Sequence, residues 1–193
     1  MKSILKRQKY EEVIKNSKFI SIIVPINSKE DIKEIITNLK IEYKNATHYC
    51  YAFKTINDKG CSDDKEPNKT AGMPILNAIE SADLINILIV VIRYFGGIKL
   101  GPGGLIRAYS NAAKEVINKS TKIDLIEGYL VSISFPYSNE KEINYLLKNS
   151  IIKKKEYTDI CTYTLETTKN ILDNISNLVT INYSQKKIIP KLN

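Results

Sequence analysis

The sequence lacks tryptophan and has one histidine and three cysteines among its 193 residues. The cysteines are odd in number, widely spaced and free of any C-x-x-C pair, which argues against a disulfide framework and against a zinc ribbon. A single histidine, His48, excludes sites that need two, such as H-E-x-x-H zinc sites. We therefore expect reduced thiols, no metal and no other cofactor.

Long apolar runs are also absent. The most apolar stretch, residues 84–92, includes Asn86 and is far shorter than the roughly 20 residues that a bilayer-spanning helix needs. The first residues become charged before an apolar signal-peptide core can develop. These features predict a cytoplasmic protein with no membrane partner.

Arginine is scarce, with 3 Arg against 26 Lys in a chain of formal net charge +8. Such a charge normally suggests an acidic partner such as nucleic acid. The excess of lysine resembles the codon bias of an AT-rich genome, however, so the total charge alone is a weak indicator. Arg93 and Arg107 are more informative, because lysine would serve wherever only charge is needed and guanidinium adds a planar, multi-donor geometry.

Glycine is also scarce, but five of the eight glycines fall within the nine residues 96–104, which we call the glycine loop. A β-branched run at 86–95 predicts a buried strand before the loop, and a helix is predicted to start near Gly103. Glycines let several backbone N–H groups face one concavity, and a helix start adds unpaired donors and a positive dipole end. The pattern predicts an anion site formed by Arg93, Gly96, Gly97, Lys99, Gly101, Gly103, Gly104 and Arg107.

Phosphate is the expected anion, from RNA, a nucleotide or a small metabolite. The loop matches neither G-x-x-x-x-G-K-[ST] nor G-x-G-x-x-G, so it does not identify a nucleotide. The alternative is that the glycines only permit tight packing of the strand against the helix.

A polar loop at 61–72 carries three carboxylates, which can either hold Mg²⁺ or pair with Arg93 and Lys99. We favour ion pairing, because the spacing matches no EF-hand and the cations lie in the same domain. The lone histidine, at the start of a strand, is either structural or a general base. Thr70 is either the N-cap of the next helix or a ligand. The candidate acid–base or loop-ordering residues are His48, Asp63, Asp64, Glu66 and Thr70.

The order of predicted elements indicates two domains in an α+β chain. A hairpin, a helix at 28–43, a strand at 48–56, a helix at 73–82 and the strand and helix around the glycine loop make up the first. From Gly128 the pattern restarts as β-α-β-β-α-β, the ferredoxin-like split arrangement. We therefore place the domains at residues 1–127 and 128–193.

Three stretches between roughly residues 46 and 113 carry a family resemblance: ATHYCYAF, SDDKEPNKTAGMPIL and VVIRYFGGIKLGPGGLIRAYSNAA. In order and spacing they resemble the YigZ/IMPACT family. The resemblance implies an N-terminal domain like the second domain of a small-subunit ribosomal protein, and a ferredoxin-like C-terminal domain. The family loop usually reads SDDGEPSGTAG, so Lys65, Asn68 and Lys69 replace Gly, Ser and Gly.

Eukaryotic members of that family regulate translation, so the resemblance implies a translation-associated role. We expect a regulatory protein that binds RNA or the ribosome through the basic glycine loop, with a translation-associated protein as a further possible partner. We expect a binding protein more than an enzyme. The alternatives are an enzyme acting on a phosphorylated small molecule at the same loop, and an interaction scaffold with no ligand there.

Overall fold

The computed structural model describes residues 1–191, which divide into two compact units. The first is Met1–Ile123 and the second begins at Asp124. The elements that begin in the first unit are β1 (Lys2–Ile4), β2 (Gln8–Ile14), β3 (Ser17–Pro25), α1 (Asp31–Glu42), β4 (His48–Lys54), β5 (Lys59–Ser62), α2 (Gly72–Ser81), β6 (Ile87–Tyr94), α3 (Gly101–Asn118) and β7 (Lys122–Phe135).

The main sheet of the first unit has the order β2-β3-β6-β4-β5, with every neighbouring pair antiparallel. Helices α2 and α3 cover one face, where Phe19 and Ile89 are buried. Helix α1 covers the other face, where Ile20 and Val90 are buried. The central strand β6 is therefore apolar on both sides, which explains its continuous β-branched sequence.

The register of the sheet places the end of β6 next to the glycine loop. Arg93 lies opposite Phe19 on β3 and opposite His48 on β4. Residues directly opposite each other in an antiparallel pair point to the same face. The side chains of Arg93 and His48 therefore lie on the face covered by α2 and α3.

The turn between β2 and β3 supports the first glycine of the loop. Lys15 and Asn16 adopt positive φ values of 46° and 64° in this turn. A Cβ atom at Gly96 would come within 2.1 Å of the backbone of Asn16 and 2.5 Å of the Ser17 nitrogen. Only glycine allows these two backbone segments to lie so close together.

The second unit continues from β7 with α4 (Glu140–Leu146), β8 (Ile151–Tyr157), β9 (Cys161–Thr167), α5 (Lys169–Ile175) and β10 (Thr180–Pro190). Its strands pair in the order β10-β7-β9-β8, all antiparallel. Val131, Phe135, Tyr163, Leu165 and Ile175 are buried in its core. This is the ferredoxin-like arrangement, so the α+β fold class predicted from the sequence is confirmed.

Strand β7, the first strand of the ferredoxin-like arrangement, starts earlier in the chain than the sequence predicts. It begins at Lys122, because residues 125–128 already pair with the end of β10, where Leu125 faces Pro190 and Glu127 faces Ile188. Residue 127, the predicted domain boundary, thus lies inside β7. That the two halves fold separately stays a prediction.

The five helices of the described residues are short or amphipathic. None of them has both the length and the apolar composition needed to cross a membrane.

Candidate functional site

The polar loop between β5 and α2, which we call the acidic loop (residues 63–71), is held by Asp63. Its carboxylate accepts hydrogen bonds from the backbone N–H groups of Lys69 (2.8 Å), Ala71 (3.0 Å) and Gly72 (2.8 Å). The residue at the N-cap position of α2 is Ala71, which has no side chain that can cap. Asp63 therefore caps α2 from a distance along the chain.

Thr70 does not cap α2, so the first of the two alternatives given for this residue is wrong. The helix begins one residue later than a Thr70 cap requires, and the Thr70 hydroxyl donates instead to the Pro67 carbonyl at 2.6 Å. Thr70 is buried and closes a turn within the acidic loop. Its contact orders the loop.

Replacing Asp63 by alanine is expected to lower the free energy of unfolding by about 2 kcal/mol, because three backbone donors lose their acceptor. Asp63→Asn keeps one acceptor oxygen of the same size and should lose less than half as much. Urea denaturation followed by circular dichroism measures both. A stability of Asp63→Ala equal to that of the unchanged protein would contradict the capping role.

Asp64 and His48 connect the acidic loop to β4. The Asp64 carboxylate accepts the Tyr49 N–H at 2.6 Å, and the Asp64 carbonyl lies 2.8 Å from His48 Nδ1. Because a carbonyl can only accept, Nδ1 carries the hydrogen. In the neutral ring, Nε2 therefore carries a lone pair, and it lies 3.8 Å from Glu66 Oε1.

Glu66 and Arg93 form a buried ion pair between the acidic loop and β6. Arg93 Nη1 donates to Glu66 Oε1 at 2.6 Å, and the two side chains are only 5% and 4% exposed. The guanidinium also lies over the rings of Phe19 and Phe95 and contacts the Ser17 hydroxyl. Both Arg93 terminal nitrogens thus have partners inside the protein.

A tyrosine completes this cluster. The Tyr109 hydroxyl donates to Glu66 Oε1 at 2.8 Å, and Cys50 Sγ lies 3.4 Å from the same hydroxyl. Burial raises the pKa of both the Tyr109 phenol and the Cys50 thiol above their ordinary values. Both groups therefore keep their protons at neutral pH, and Tyr109 remains a donor to Glu66.

A pocket of about 450 Å³ lies between the acidic loop and the glycine loop. We call it the loop pocket. It is lined by residues of the acidic loop, of the start of β4, of the end of β6 and of the glycine loop. The full lining is Thr47, His48, Glu66, Pro67, Arg93, Phe95, Lys99, Leu100, Gly101, Pro102 and Leu105.

The glycine loop leads into the uncapped start of α3. Gly97 and Gly101 have positive φ values of 85° and 72°, which glycine adopts without strain. No side chain caps α3, and Pro102 in its first turn has no N–H. The amides of Leu100, Gly101 and Gly103 precede the first hydrogen bond of the helix, and none of them has an acceptor within residues 1–191. Gly103 has an ordinary φ, and a Cβ there would meet no atom within 4 Å. The fold therefore does not require glycine at 103, and space remains for a close approach to the backbone.

Exposed cations and apolar side chains surround this helix start. Lys99 and Arg107 are exposed, and neither forms an ion pair with any described residue. Phe95, Ile98 and Ile106 are 45%, 46% and 43% exposed. The combination of exposed cations with an exposed aromatic ring suits a ligand that has both an anionic and an apolar part.

Of the residues selected from the sequence, the loop pocket brings together five: His48, Glu66, Arg93, Lys99 and Gly101. Asp63, Asp64 and Thr70 hold the acidic loop behind the pocket, and Gly96 serves the packing against the β2–β3 turn. Gly97 belongs to the turn of the glycine loop, Gly103 and Gly104 lie in the first turn of α3, and Arg107 lies one turn further on.

The sequence analysis missed Phe95 and Tyr109. Tyr109 lies four residues after Leu105 on the buried side of α3, so the helical period predicts its burial. No local pattern indicates that Phe95 is exposed at the pocket. Within residues 1–191, no group of three His, Cys, Asp or Glu side chains is placed to hold a metal ion.

Comparison with known proteins gives consistent matches over most of the chain. Residues 15–117 match the family profile described as the Impact N-terminal domain. An "IMPACT family member in pol 5'region" from Thermus thermophilus is 34% identical over 144 residues, which cover 75% of this chain and 79% of that protein. The "IMPACT family member YigZ" from Escherichia coli is 35% identical over 115 residues, covering 57% and 56%. A solved structure described as a hypothetical protein covers 93% of this chain and 95% of its own, with a TM-score of 0.64 and 25% identity.

Proposed function

Since the chain belongs to the IMPACT family, as the sequence predicted, we propose that it is a translation-associated regulatory protein that binds RNA or the ribosome through the glycine loop. The observation that carries this proposal is the start of α3, where free backbone donors lie beside the exposed cations Lys99 and Arg107. A cytoplasmic location, and a translation-associated protein as a further partner, belong to the same proposal.

The charges around the pocket favour an anion at the helix start. Arg93 matches the buried charge of Glu66, so this pair adds little net charge. Lys99 then makes the mouth of the loop pocket positive, and the free amides and the positive dipole end of α3 add to the attraction. A phosphate group of a nucleic-acid backbone satisfies such donors.

The exposed ring of Phe95 favours RNA over a simple anion. It lines the loop pocket and is 45% exposed. Unpaired RNA bases stack on aromatic side chains while their phosphates pair with nearby cations. An aromatic ring beside a phosphate site is therefore typical of single-stranded RNA binding.

The cations supply a direct test. Lys99→Ala and Arg107→Ala should each weaken RNA binding with little regard to sequence, and each should reduce the slope of log K against log salt by about 0.7 to 0.9. Arg107→Lys keeps the charge but loses the two-pronged donor geometry, so it should lose about 1 kcal/mol of binding. Filter binding at several salt concentrations and co-sedimentation with ribosomes measure these effects.

Lys114→Ala is the matched control, since Lys114 is exposed on α3 about two turns beyond Arg107. We expect it to leave both the affinity and the salt slope nearly unchanged. Unchanged RNA binding in all three test variants, with folding intact, would remove the glycine loop from the proposal.

One observation favours a second candidate, an enzyme acting on a phosphorylated small molecule at the same loop. His48 Nε2 and Glu66 line a pocket of about 450 Å³, so acid–base groups lie close to the predicted phosphate position. Such an enzyme should be stabilised thermally by its nucleotide with Mg²⁺. An RNA- or ribosome-binding protein should instead sediment with ribosomes and lose binding steeply as salt rises.

A further inference from the structure

The loop pocket is lined by a carboxylate, that of Glu66, of which the protein uses only one oxygen as an acceptor. The Glu66 side chain is 4% exposed, and its Oε1 atom accepts from both Arg93 and Tyr109. Its Oε2 atom accepts from no donor within residues 1–191 and is not among the fully enclosed atoms that lack a partner, so it keeps some exposure. Glu66 lines the pocket. An accessible carboxylate oxygen in a pocket can accept from a ligand, so a ligand that brings an N–H to this atom gains a charge-assisted hydrogen bond.

A second acceptor lies beside it. His48 Nδ1 donates to the Asp64 carbonyl, so Nε2 of the neutral ring accepts, and it lies 3.8 Å from the Glu66 carboxylate. Both residues line the loop pocket. The pocket thus presents two neighbouring acceptors to a ligand, and a matching ligand carries two neighbouring donors.

Among the four RNA bases, guanine alone carries two adjacent donors on its Watson–Crick edge, N1–H and the 2-amino group. Adenine, cytosine and uracil each place an acceptor next to their donor. Single-stranded bases are read on this edge by protein side chains. We propose that the loop pocket binds the base of a guanine nucleotide, with N1–H and the 2-amino group donating to Glu66 and His48.

The remaining walls fit the rest of such a nucleotide. Phe95, Pro102 and Leu105 offer apolar surface to the faces of the base, and the volume of about 450 Å³ lies in the range of small-molecule sites. The nucleotide phosphate then lies toward Lys99 and the amide of Gly101, where the space beside Gly103 is open. This assignment rests on the proposed function, because it places a nucleotide phosphate at the same helix start.

A series of nucleotides tests the inference without altering the protein. The full chain is titrated by calorimetry with GMP, IMP, 1-methyl-GMP and AMP. IMP lacks the 2-amino group and 1-methyl-GMP lacks N1–H, so each should bind about tenfold more weakly than GMP, which corresponds to one lost hydrogen bond. AMP should bind at least as weakly as these two. Equal affinities for all four, or no binding of GMP at the highest concentration, would overturn the proposal.

A second experiment, with oligonucleotides, distinguishes a guanosine within an RNA strand from a free guanine nucleotide. A uridine octamer with one central guanosine is compared with the all-uridine octamer and with GMP. Tighter binding of the guanosine-containing octamer than of GMP supports a strand, and tighter binding of GMP supports a free nucleotide. If both octamers bind equally and GMP does not bind, the guanine assignment is wrong, while RNA binding at the glycine loop stands.

Two variants separate base reading from stacking. His48→Leu removes one acceptor and should bring the GMP/IMP or the GMP/1-methyl-GMP affinity ratio toward one. Phe95→Leu should weaken all the nucleotides by a similar factor and leave the ratios unchanged. Both ratios unchanged in folded His48→Leu would contradict the pairing, and Lys114→Ala serves as the control with no effect.

Discussion

Replacing Glu66 by alanine is expected to lower the free energy of unfolding by about 3 to 5 kcal/mol. The substitution leaves the Arg93 guanidinium 5% exposed without its carboxylate, and it also removes the acceptor of the Tyr109 hydroxyl. An unpaired charge in that position cannot be solvated without opening the packing of the acidic loop on the sheet. Urea denaturation of the full chain measures the loss.

Two companion variants identify the cause. Glu42→Ala breaks a pair with Arg7 whose side chains are 44% and 46% exposed, and it should cost about 1 kcal/mol or less. Replacing both charges, as in Glu66→Leu with Arg93→Met, should recover most of the stability lost in Glu66→Ala. A loss in Glu66→Ala no larger than that in Glu42→Ala would show that the buried pair contributes little.

Gly96→Ala adds a single methyl group and is expected to lower the free energy of unfolding by more than about 3 kcal/mol. Its Cβ would lie 2.1 Å from the backbone of Asn16. Neither segment can move without breaking the β2–β3 turn or the end of β6. The hydrogen bond from the Gly96 amide to the Ser17 hydroxyl, at 3.2 Å, would be lost as well.

Gly103→Ala is the matched comparison in the same loop. A Cβ there meets no atom within 4 Å, and alanine favours a helix over glycine by roughly 0.5 to 1 kcal/mol. We therefore expect this variant to be slightly more stable than the unchanged protein and to bind RNA more weakly, because the methyl group occupies the space beside the helix start. A denaturation midpoint for Gly96→Ala close to that of Gly103→Ala would contradict the packing role of Gly96.

Much of the fold is local in origin and could be predicted from the sequence. The continuous apolar run of β6 indicates burial on both faces, and the restart near Gly128 indicates the βαββαβ arrangement of the second unit. The sequence predicts that α3 starts near Gly103, whereas the helix begins at Gly101 with Pro102 in its first turn, a position that proline tolerates. These features depend on period and composition within single elements.

The partners of the polar groups could not be predicted in the same way. Asp63 caps a helix that begins nine residues later, and Arg93 reaches Glu66 across 27 residues of chain. Both contacts depend on how the acidic loop folds back over the sheet. The sequence predicts that the carboxylates of this loop pair with cations, whereas in the tertiary fold Asp63 and Asp64 accept backbone N–H groups and Glu66 accepts from the Arg93 guanidinium.

The backbone conformation of Lys65 and Lys69, the two lysines that depart from the family loop pattern, is also visible only in the fold. Lys65 and Lys69 adopt positive φ values of 69° and 62°. Such conformations cost a side-chain-bearing residue about 1 kcal/mol relative to glycine. Glycine would suit the backbone conformation of the loop at these positions, and the hydrogen bonds of Asp63 and Asp64 hold that conformation in this chain.

The close approach of Gly96 to the backbone of Asn16 and Ser17 also determines where residues can be inserted into this protein without damage. A tag, label or inserted peptide in the β2–β3 turn would push directly against the glycine loop and disturb the proposed binding site. The turn between β4 and β5 is different, because Thr55 and Asp58 bond mainly to each other and Ile56 and Asn57 are exposed. We therefore expect that a peptide inserted, or a fluorescent probe attached, at residues 56 and 57 leaves the loop pocket unchanged.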